Sequence, residues 1–276
     1  MGDYRCFDVE VSDKVAHVRL SRPDELNTMV PEFWRDLPVI AQRLSDDGGV
    51  RAMVLSSTGR HFCAGMDLSV FAGMQIEGEP GRVNAVRQQL VRLLQDSFTA
   101  LERARMPVLA AIQGGCIGGA VDMVTACDMR YATEDAFFVV QETNIGMTAD
   151  VGTLQRLPKL IPDGVARELV YTGRRMPADR AREVGLVNEV YPDQEAMLAG
   201  VMEVAREIAA QSPLAVWGAK EALVYARDHA VGDALHQIAT WQTGAFQPAD
   251  LMEAFAAKAE KRDPSYDDLP PSPRSL

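Results

Sequence analysis

From Pro107 the chain runs PVLAAIQGGCIGGAVDMVTAC: an apolar segment, a cluster of glycines, then a helical stretch carrying one carboxylate, Asp122. No other run restricts the fold as much. The apolar segment has the length and pattern of a buried strand. The glycines turn the chain into the helix and leave Asp122 in apolar surroundings. Two more carboxylates follow: Glu142 comes directly after the apolar run AFFVVQ, and Asp150 opens DVGTLQRLP. Ionised side chains are expensive to bury unless paired, hydrogen-bonded or kept for proton chemistry. Three of them beside glycines that expose backbone N–H groups point to an enzyme that moves protons next to an oxyanion.

The flanking segments define the architecture. CFDVEV and VAHVRLS alternate around the turn SDK as a β-hairpin. RPDELNTM reads as a loop, and Pro31 opens an amphipathic helix to about Arg43. VRAMVLSS is a buried strand, followed by the loop TGRHFCAGMDLS. A connector at 76–81 leads into a long helix from about Arg82 to Arg105. PVLAAIQG, DMRYAT and AFFVVQ are further strands, and the helix carrying Asp122 ends near Ala126. Strand, strand, helix recurs, which indicates an α/β fold of stacked ββα units rather than a doubly wound sheet. From Val151 the periodicity is helical, interrupted at GLVNEVY. The expected division is a ββα core over 1–200 and a helical region over 201–276, with a loose tail from Pro264.

With 276 residues, the chain can form a single α/β core with a helical appendage. The net charge of −11 argues against nucleic acid or an anionic membrane as partner. No apolar run reaches the roughly 18 residues needed to span a bilayer. Cys6, Cys63, Cys116 and Cys127 make no CxxC pair, and the four histidines lack ligand spacing, so no metal site is expected. Reduced thiols and an N-terminus that reads as neither signal nor transit peptide place the protein in the cytoplasm.

Each candidate site has a plain structural rival. Gly118 and Gly119 lie where a strand gives way to a helix, so their amides are free to face an anion. The rival is that they only permit close packing and that Asp122 favours a helix N-terminus. In HFCAGMDL, Ala64 and Gly65 are small enough for a ligand to approach the backbone, and the Met66 amide is a second candidate donor. Asp67 begins the following turn, and Leu68 and Ala120 complete the candidate substrate contacts. The rival there is an ordinary strand-to-helix loop. Asp150 precedes a helix beginning near Gly152, where an N-cap is the common role for aspartate. Gln155 and Arg156 read as surface or pairing residues, and His61, His229 and His236 have no acid–base partner in sequence.

Taken together, RPDELN, HFCAGMDL, IQGGCIGGAVDMVTACDMRYA, the turn from Glu142 to Gly146 and GTLQRLP resemble the crotonase (enoyl-CoA hydratase/isomerase) superfamily over nearly the whole chain. The resemblance implies a crotonase-like spiral of ββα turns with a C-terminal helical region that supports a homotrimer or a dimer of trimers. It also implies an acyl-CoA thioester substrate and no redox cofactor or metal. By position, Met66 and Gly119 match the two backbone donors for the thioester oxygen. Asp122 and Glu142 match the two catalytic glutamates of the hydratases, the first shortened to aspartate. Asp150 stands where many hydratases have a small residue. The trio is similar to the 3,5-2,4-dienoyl-CoA isomerase branch of the family. That resemblance implies Asp150 as base at the α-carbon, Glu142 as acid at the distal carbon, and Asp122 hydrogen-bonded to Glu142. A 2-enoyl-CoA hydratase is the second reading, and an inactive acyl-CoA-binding or RNA-binding relative the third.

Overall fold

The computed structural model describes residues 4–67, 69–70 and 77–273. Two strands open it, β1 (Phe7–Ser12) and β2 (Val15–Leu20), paired antiparallel. The connection is only Asp13 and Lys14, at φ +50° and +64°. Positive φ at both positions is what a tight hairpin of this twist requires. Helix α1 (Pro31–Asp47) follows with proline at its start, and runs one turn past the expected end to Gly48 at φ +81°. Strand β3 (Ala52–Ser57) precedes α2 (Pro80–Arg103). The connector expected over 76–81 falls partly outside the described residues.

The central units then repeat. Strand β4 (Val108–Ile112) is followed by β5 (Gly115–Ile117) and α3 (Gly119–Thr125), and β6 (Met129–Thr133) by β7 (Phe137–Val139). The first strand of each pair joins a sheet ordered β1-β2-β3-β4-β6-β9, parallel from β2 onward, with β9 at Glu189–Tyr191. The second joins a smaller sheet, β5-β7-β8, with β8 at Met176–Pro177. A bridge between Cys63 and Cys116 adds the loop after β3 to that smaller sheet. The repeating ββα spiral is therefore present. Strand β5 was not expected, because three residues among four glycines carry no readable period.

The remaining helices are α4 (Thr153–Leu160), α5 (Asp163–Thr172), α6 (Ala178–Glu183), α7 (Gln194–Ala209), α8 (Pro213–Asp228), α9 (Val231–Ala245) and α10 (Pro248–Glu260). Alternation along the strands divides the core in two. Ala52, Val54, Leu109 and Ala111 face Met197, Val201 and Ala205 of α7, whereas Met53, Leu55, Ala110 and Ile112 join the larger cluster with α1 and α2. The boundary expected at residue 200 thus falls inside α7, the helix that covers one face of the sheet.

Buried Lys220 ties α8 to this body. Its ammonium donates to the carbonyls of Leu101 and Met106, each at 3.0 Å, and to Asp128 at 2.8 Å. The tail from Pro264, expected to be loose, is docked. Arg51 donates to the Tyr266 carbonyl at 2.6 Å and to Asp268 at 2.7 Å, and the Ser272 N–H donates to the Asp46 carbonyl at 2.9 Å. Those partners lie far away in sequence, so tail composition alone could not reveal them.

Candidate active site

The loop after β3 is held by a nearly complete set of hydrogen bonds. The N–H groups of Phe62, Cys63 and Ala64 donate to the carbonyls of Gln113, Gly115 and Leu26. Gly65 N–H donates to the Cys63 sulfur at 3.4 Å, and Asp67 N–H to the Met29 carbonyl at 3.2 Å. Met66 N–H alone in this run has no acceptor among the described residues. Backbone donors are rarely left unpaired without reason. Gly119 N–H is the first of α3 and has no acceptor within its helix. The two come together because Gly65, at φ +87°, brings the loop against the strand-to-helix turn: a Cβ there would lie 2.7 Å from the Ile117 carbonyl and 3.5 Å from the Gly119 nitrogen. Only glycine suits that approach.

Both donor residues line a cavity of about 860 Å³, within the usual range for a small-molecule site. Met66, Gly119, Ala64, Gly65 and Asp67 line it, and so do Asp122, Glu142 and Asp150. Residues spread over the expected loops are thereby collected in one place. Two of the expected substrate contacts have further surroundings. Ala120 is fully buried in the core behind the cavity and does not line it, because its side chain points into the packing of α3. The Asp67 carboxylate is engaged within the protein: Thr28 Oγ1 and Ser69 N–H donate to it, each at 2.9 Å. Those bonds, with that of the Ser69 hydroxyl, hold Asp67 below the usual carboxylate range. Leu68 lies outside the described residues.

The three carboxylates are placed by three different devices. Glu142 begins a single 3₁₀ turn, Glu142–Ile145, and its Oε1 packs where a Cβ on Gly118 would sit, 3.2 Å away. The Asp150 carbonyl accepts from Gln95 Nε2 at 2.7 Å, which pins the loop to α2 and leaves the side chain directed to the cavity. Asp150 does not cap α4; Gly152 occupies the cap position, with no side-chain cap bond. Asp122 performs that service from α3, its Oδ1 accepting the Thr153 N–H at 2.5 Å. The hydrogen bond expected between Asp122 and Glu142 is not formed among the described residues. Instead Asp122 Oδ2 and Glu142 Oε2 are both buried without a partner there.

Burial and mutual repulsion set the protonation of the trio. Asp122 is 1% exposed; burial, then the charge of Glu142, push it up to about 7. Glu142 is raised by burial and further by the charge of Asp150. Asp150 is the most open of the three, and partial burial still raises it. A carboxyl raised that far, as Asp122 is, can exchange protons near neutral pH. The sign for stability follows. A carboxyl raised above its unfolded value of about 4 stabilises the fold while protonated, and the contribution is lost as pH rises through about 7. Asp122→Asn keeps the acceptor for Thr153 and removes the charge. Its thermal stability should match the parent at about pH 4 and exceed it by on the order of a few kcal/mol at about pH 8. Equal melting curves at both values would contradict this account.

Other expectations fall into place around the cavity. Arg156 is a pairing residue, 3.2 Å from Glu102, which also pairs with Arg227 of α8. His61 is structural: its Nδ1 accepts the Gly115 N–H at 2.9 Å. All four cysteines are free and buried, and burial pushes Cys63 up to about 12, so it is an unreactive thiol. Among the described residues no group of three or more His, Cys, Asp and Glu is placed to hold a metal ion. No helix described is long and apolar enough to cross a membrane. Sequence reasoning missed the wall that α2 supplies, Arg87, Leu90, Val91 and Leu94. Their i, i+3, i+4, i+7 spacing marks one helix face and was a readable signal.

Comparison with known proteins agrees with this geometry. The family model for enoyl-CoA hydratase/isomerase matches residues 10–269. A rat protein named mitochondrial Delta(3,5)-Delta(2,4)-dienoyl-CoA isomerase is 43% identical over 95% of this chain and 81% of its own length. Its peroxisomal namesake from Arabidopsis thaliana is 36% identical over 96% and 98%. Among solved structures, an enoyl-CoA hydratase from Bacillus anthracis superposes with a TM-score of 0.85 at 31% identity, covering 95% of this chain and 99% of that one. A ββα spiral, two convergent amides at a glycine turn and a match over nearly the full length agree: the chain belongs to the enoyl-CoA hydratase/isomerase family.

Proposed function

We propose that the protein isomerises 3,5-dienoyl-CoA to 2,4-dienoyl-CoA in fatty acid β-oxidation, the activity for which its rat and Arabidopsis relatives are named. The observation that carries this reading is a third carboxylate, Asp150, in the same cavity as Asp122 and Glu142. Asp150 removes a proton from C2, and the electron pair moves onto the thioester oxygen. The N–H groups of Met66 and Gly119 stabilise that charge without reorganising during the reaction. Glu142 then delivers a proton to C6, and the double bonds settle at C2 and C4 with no net change in protons. Two groups are needed because C2 and C6 are too far apart for one to serve both. The electrostatics support a proton-transfer role: burial raises both carboxyls above the ordinary carboxylate value, and the charge of Asp150 raises Glu142 further.

The chemistry is complete with side chains and backbone, so we propose no cofactor or metal beyond the coenzyme A of the substrate. Purified protein given 3,5-dienoyl-CoA should produce the ultraviolet band of a diene conjugated with the thioester, and chelator should not abolish it. Addition of water to 2-enoyl-CoA, seen as loss of absorbance, with no turnover of the diene would favour the hydratase reading instead, for which the likeness to a hydratase structure speaks.

Helices α8 to α10 expose Leu223, Val231, Leu235, Met252 and Phe255, and Phe246 is exposed between α9 and α10. A surface this apolar fits subunit contacts, and a homotrimer or a dimer of trimers is the assembly proposed. Light scattering at micromolar concentration should give a multiple of three chains; a monomeric mass would refute it. The compartment proposed is the cytoplasm, in keeping with buried, unpaired thiols, although the relatives above are named mitochondrial and peroxisomal.

A further inference from the structure

One residue is bonded to both halves of the oxyanion geometry. The backbone of Cys63 holds β5: its N–H donates to the Gly115 carbonyl and its carbonyl accepts the Ile117 N–H, each at 3.1 Å. Strand β5 runs directly into the turn that delivers Gly119. The side chain of Cys63 holds the other half. Its Sγ accepts the Gly65 N–H at 3.4 Å and donates to the Asn27 carbonyl at 3.1 Å. Gly65 N–H has no backbone acceptor among the described residues, so the sulfur is its sole partner there. Asn27, 2% exposed, completes the clasp: its Nδ2 donates to the carbonyls of Thr58 at 2.8 Å and His61 at 3.1 Å, at the start of the same loop. Cys63 is fully buried, and as an un-ionised thiol it can donate and accept at once.

We propose that Cys63 is a positioning residue for the two backbone donors, its thiol fixing the Gly65 peptide and through it the direction of the Met66 N–H. The inference rests on reading Met66 and Gly119 as the oxyanion donors, and it holds for an isomerase and a hydratase alike. The Gly65 carbonyl accepts the Met29 N–H at 2.9 Å, and the Asp67 N–H donates to the Met29 carbonyl at 3.2 Å. This parallel bridge turns the Met66 N–H away from the Met29 segment. The arrangement starts at Gly65, which lies at φ +87°. With no Cβ to limit its dihedrals, glycine is held in place by the hydrogen bonds of its peptide groups. Without the sulfur its N–H is buried and unpaired, and the peptide turns to reach another acceptor. Cys63 is not among the residues that line the cavity, so the thiol acts through the backbone and touches no substrate.

The test reads the carbonyl stretch of bound hexanoyl-CoA, isotope-labelled at its carbonyl carbon, by infrared difference spectroscopy, with kcat and KM on 3,5-dienoyl-CoA beside it. In the parent protein the band should move to lower frequency than in the free ligand, the mark of an oxygen polarised by two donors. In Cys63→Ala that shift should shrink. Its kcat should fall by about tenfold to a hundredfold, less than the loss of a whole donor, with KM little changed. Cys63→Ser restores a group that donates and accepts, and should recover most of the shift and of kcat. Cys116→Ala is the packing control. It removes an equally buried thiol opposite Cys63 in the bridge, and should lower the melting temperature without moving the band. A full shift in Cys63→Ala, a serine variant as impaired as the alanine one, or an equal change in Cys116→Ala would overturn the proposal. No shift in the parent would refute the oxyanion reading and this inference with it. A shift without turnover of the diene would refute the isomerase assignment alone, and the band would still decide the role of Cys63.

Discussion

Asp150→Asn should slow isomerisation by about 10²–10⁴-fold and leave the thermal midpoint almost unchanged. Asparagine has the same shape but no useful proton affinity. The local structure does not depend on the carboxylate. The cap of α4 is Gly152, the Thr153 N–H is served by Asp122, and the loop is fixed by Gln95 through the Asp150 carbonyl. Burial holds the Asp150 carboxyl above its ordinary value, so its charge is a small cost to the fold at neutral pH and its removal is no loss. Binding of a saturated acyl-CoA should persist, because the amides of Met66 and Gly119 are untouched. Near-parental turnover of 3,5-dienoyl-CoA by this variant would remove Asp150 from the mechanism and bring the hydratase reading forward.

Gly65→Ala should reduce kcat/KM by about 10²–10³-fold, the usual consequence of losing one oxyanion donor. The new Cβ would lie 2.7 Å from the Ile117 carbonyl, a backbone atom that cannot move without carrying the Gly119 turn with it. Relief of that contact separates the Met66 N–H from the Gly119 N–H, and the two no longer converge on one oxygen. Alanine at φ +87° adds about 1–2 kcal/mol of backbone strain, so the melting temperature should also fall. Gly185→Ala supplies the comparison. Gly185 has a similar φ of +84°, but a Cβ there meets nothing within 4 Å. It should lose comparable stability and keep its activity. Equal activity losses in the two variants would show that strain, and not the placement of a donor, accounts for the effect at Gly65.

Legibility in the sequence followed the range of the forces involved. The hairpin of β1 and β2 was readable because alternation and a two-residue turn are local, and the long helix α2 was placed within two residues at each end for the same reason. Strand β5 was hidden, since three residues between glycines owe their conformation to pairing with β7 and with the Cys63 loop. The tail from Pro264 looked unstructured by composition and is held by Arg51, more than two hundred residues earlier.

The same division runs through the site. Which residues are candidates for the chemistry was legible in the amino-acid sequence alone: apolar strands, glycines where they end, and three carboxylates at distinctive spacings are local features that no tertiary contact has to supply. Which of them is free to act was decided by the fold. Met66 is an available donor because acceptors from Leu26, Met29, Gln113 and Gly115 occupy its neighbours' N–H groups and none among the described residues reaches its own. Asp122 serves α4 and not Glu142 because helix packing sets the Thr153 amide against it. Hydrogen bonds and cavity walls of this kind join segments tens of residues apart, and a pattern read along the chain carries no record of which distant partner arrives.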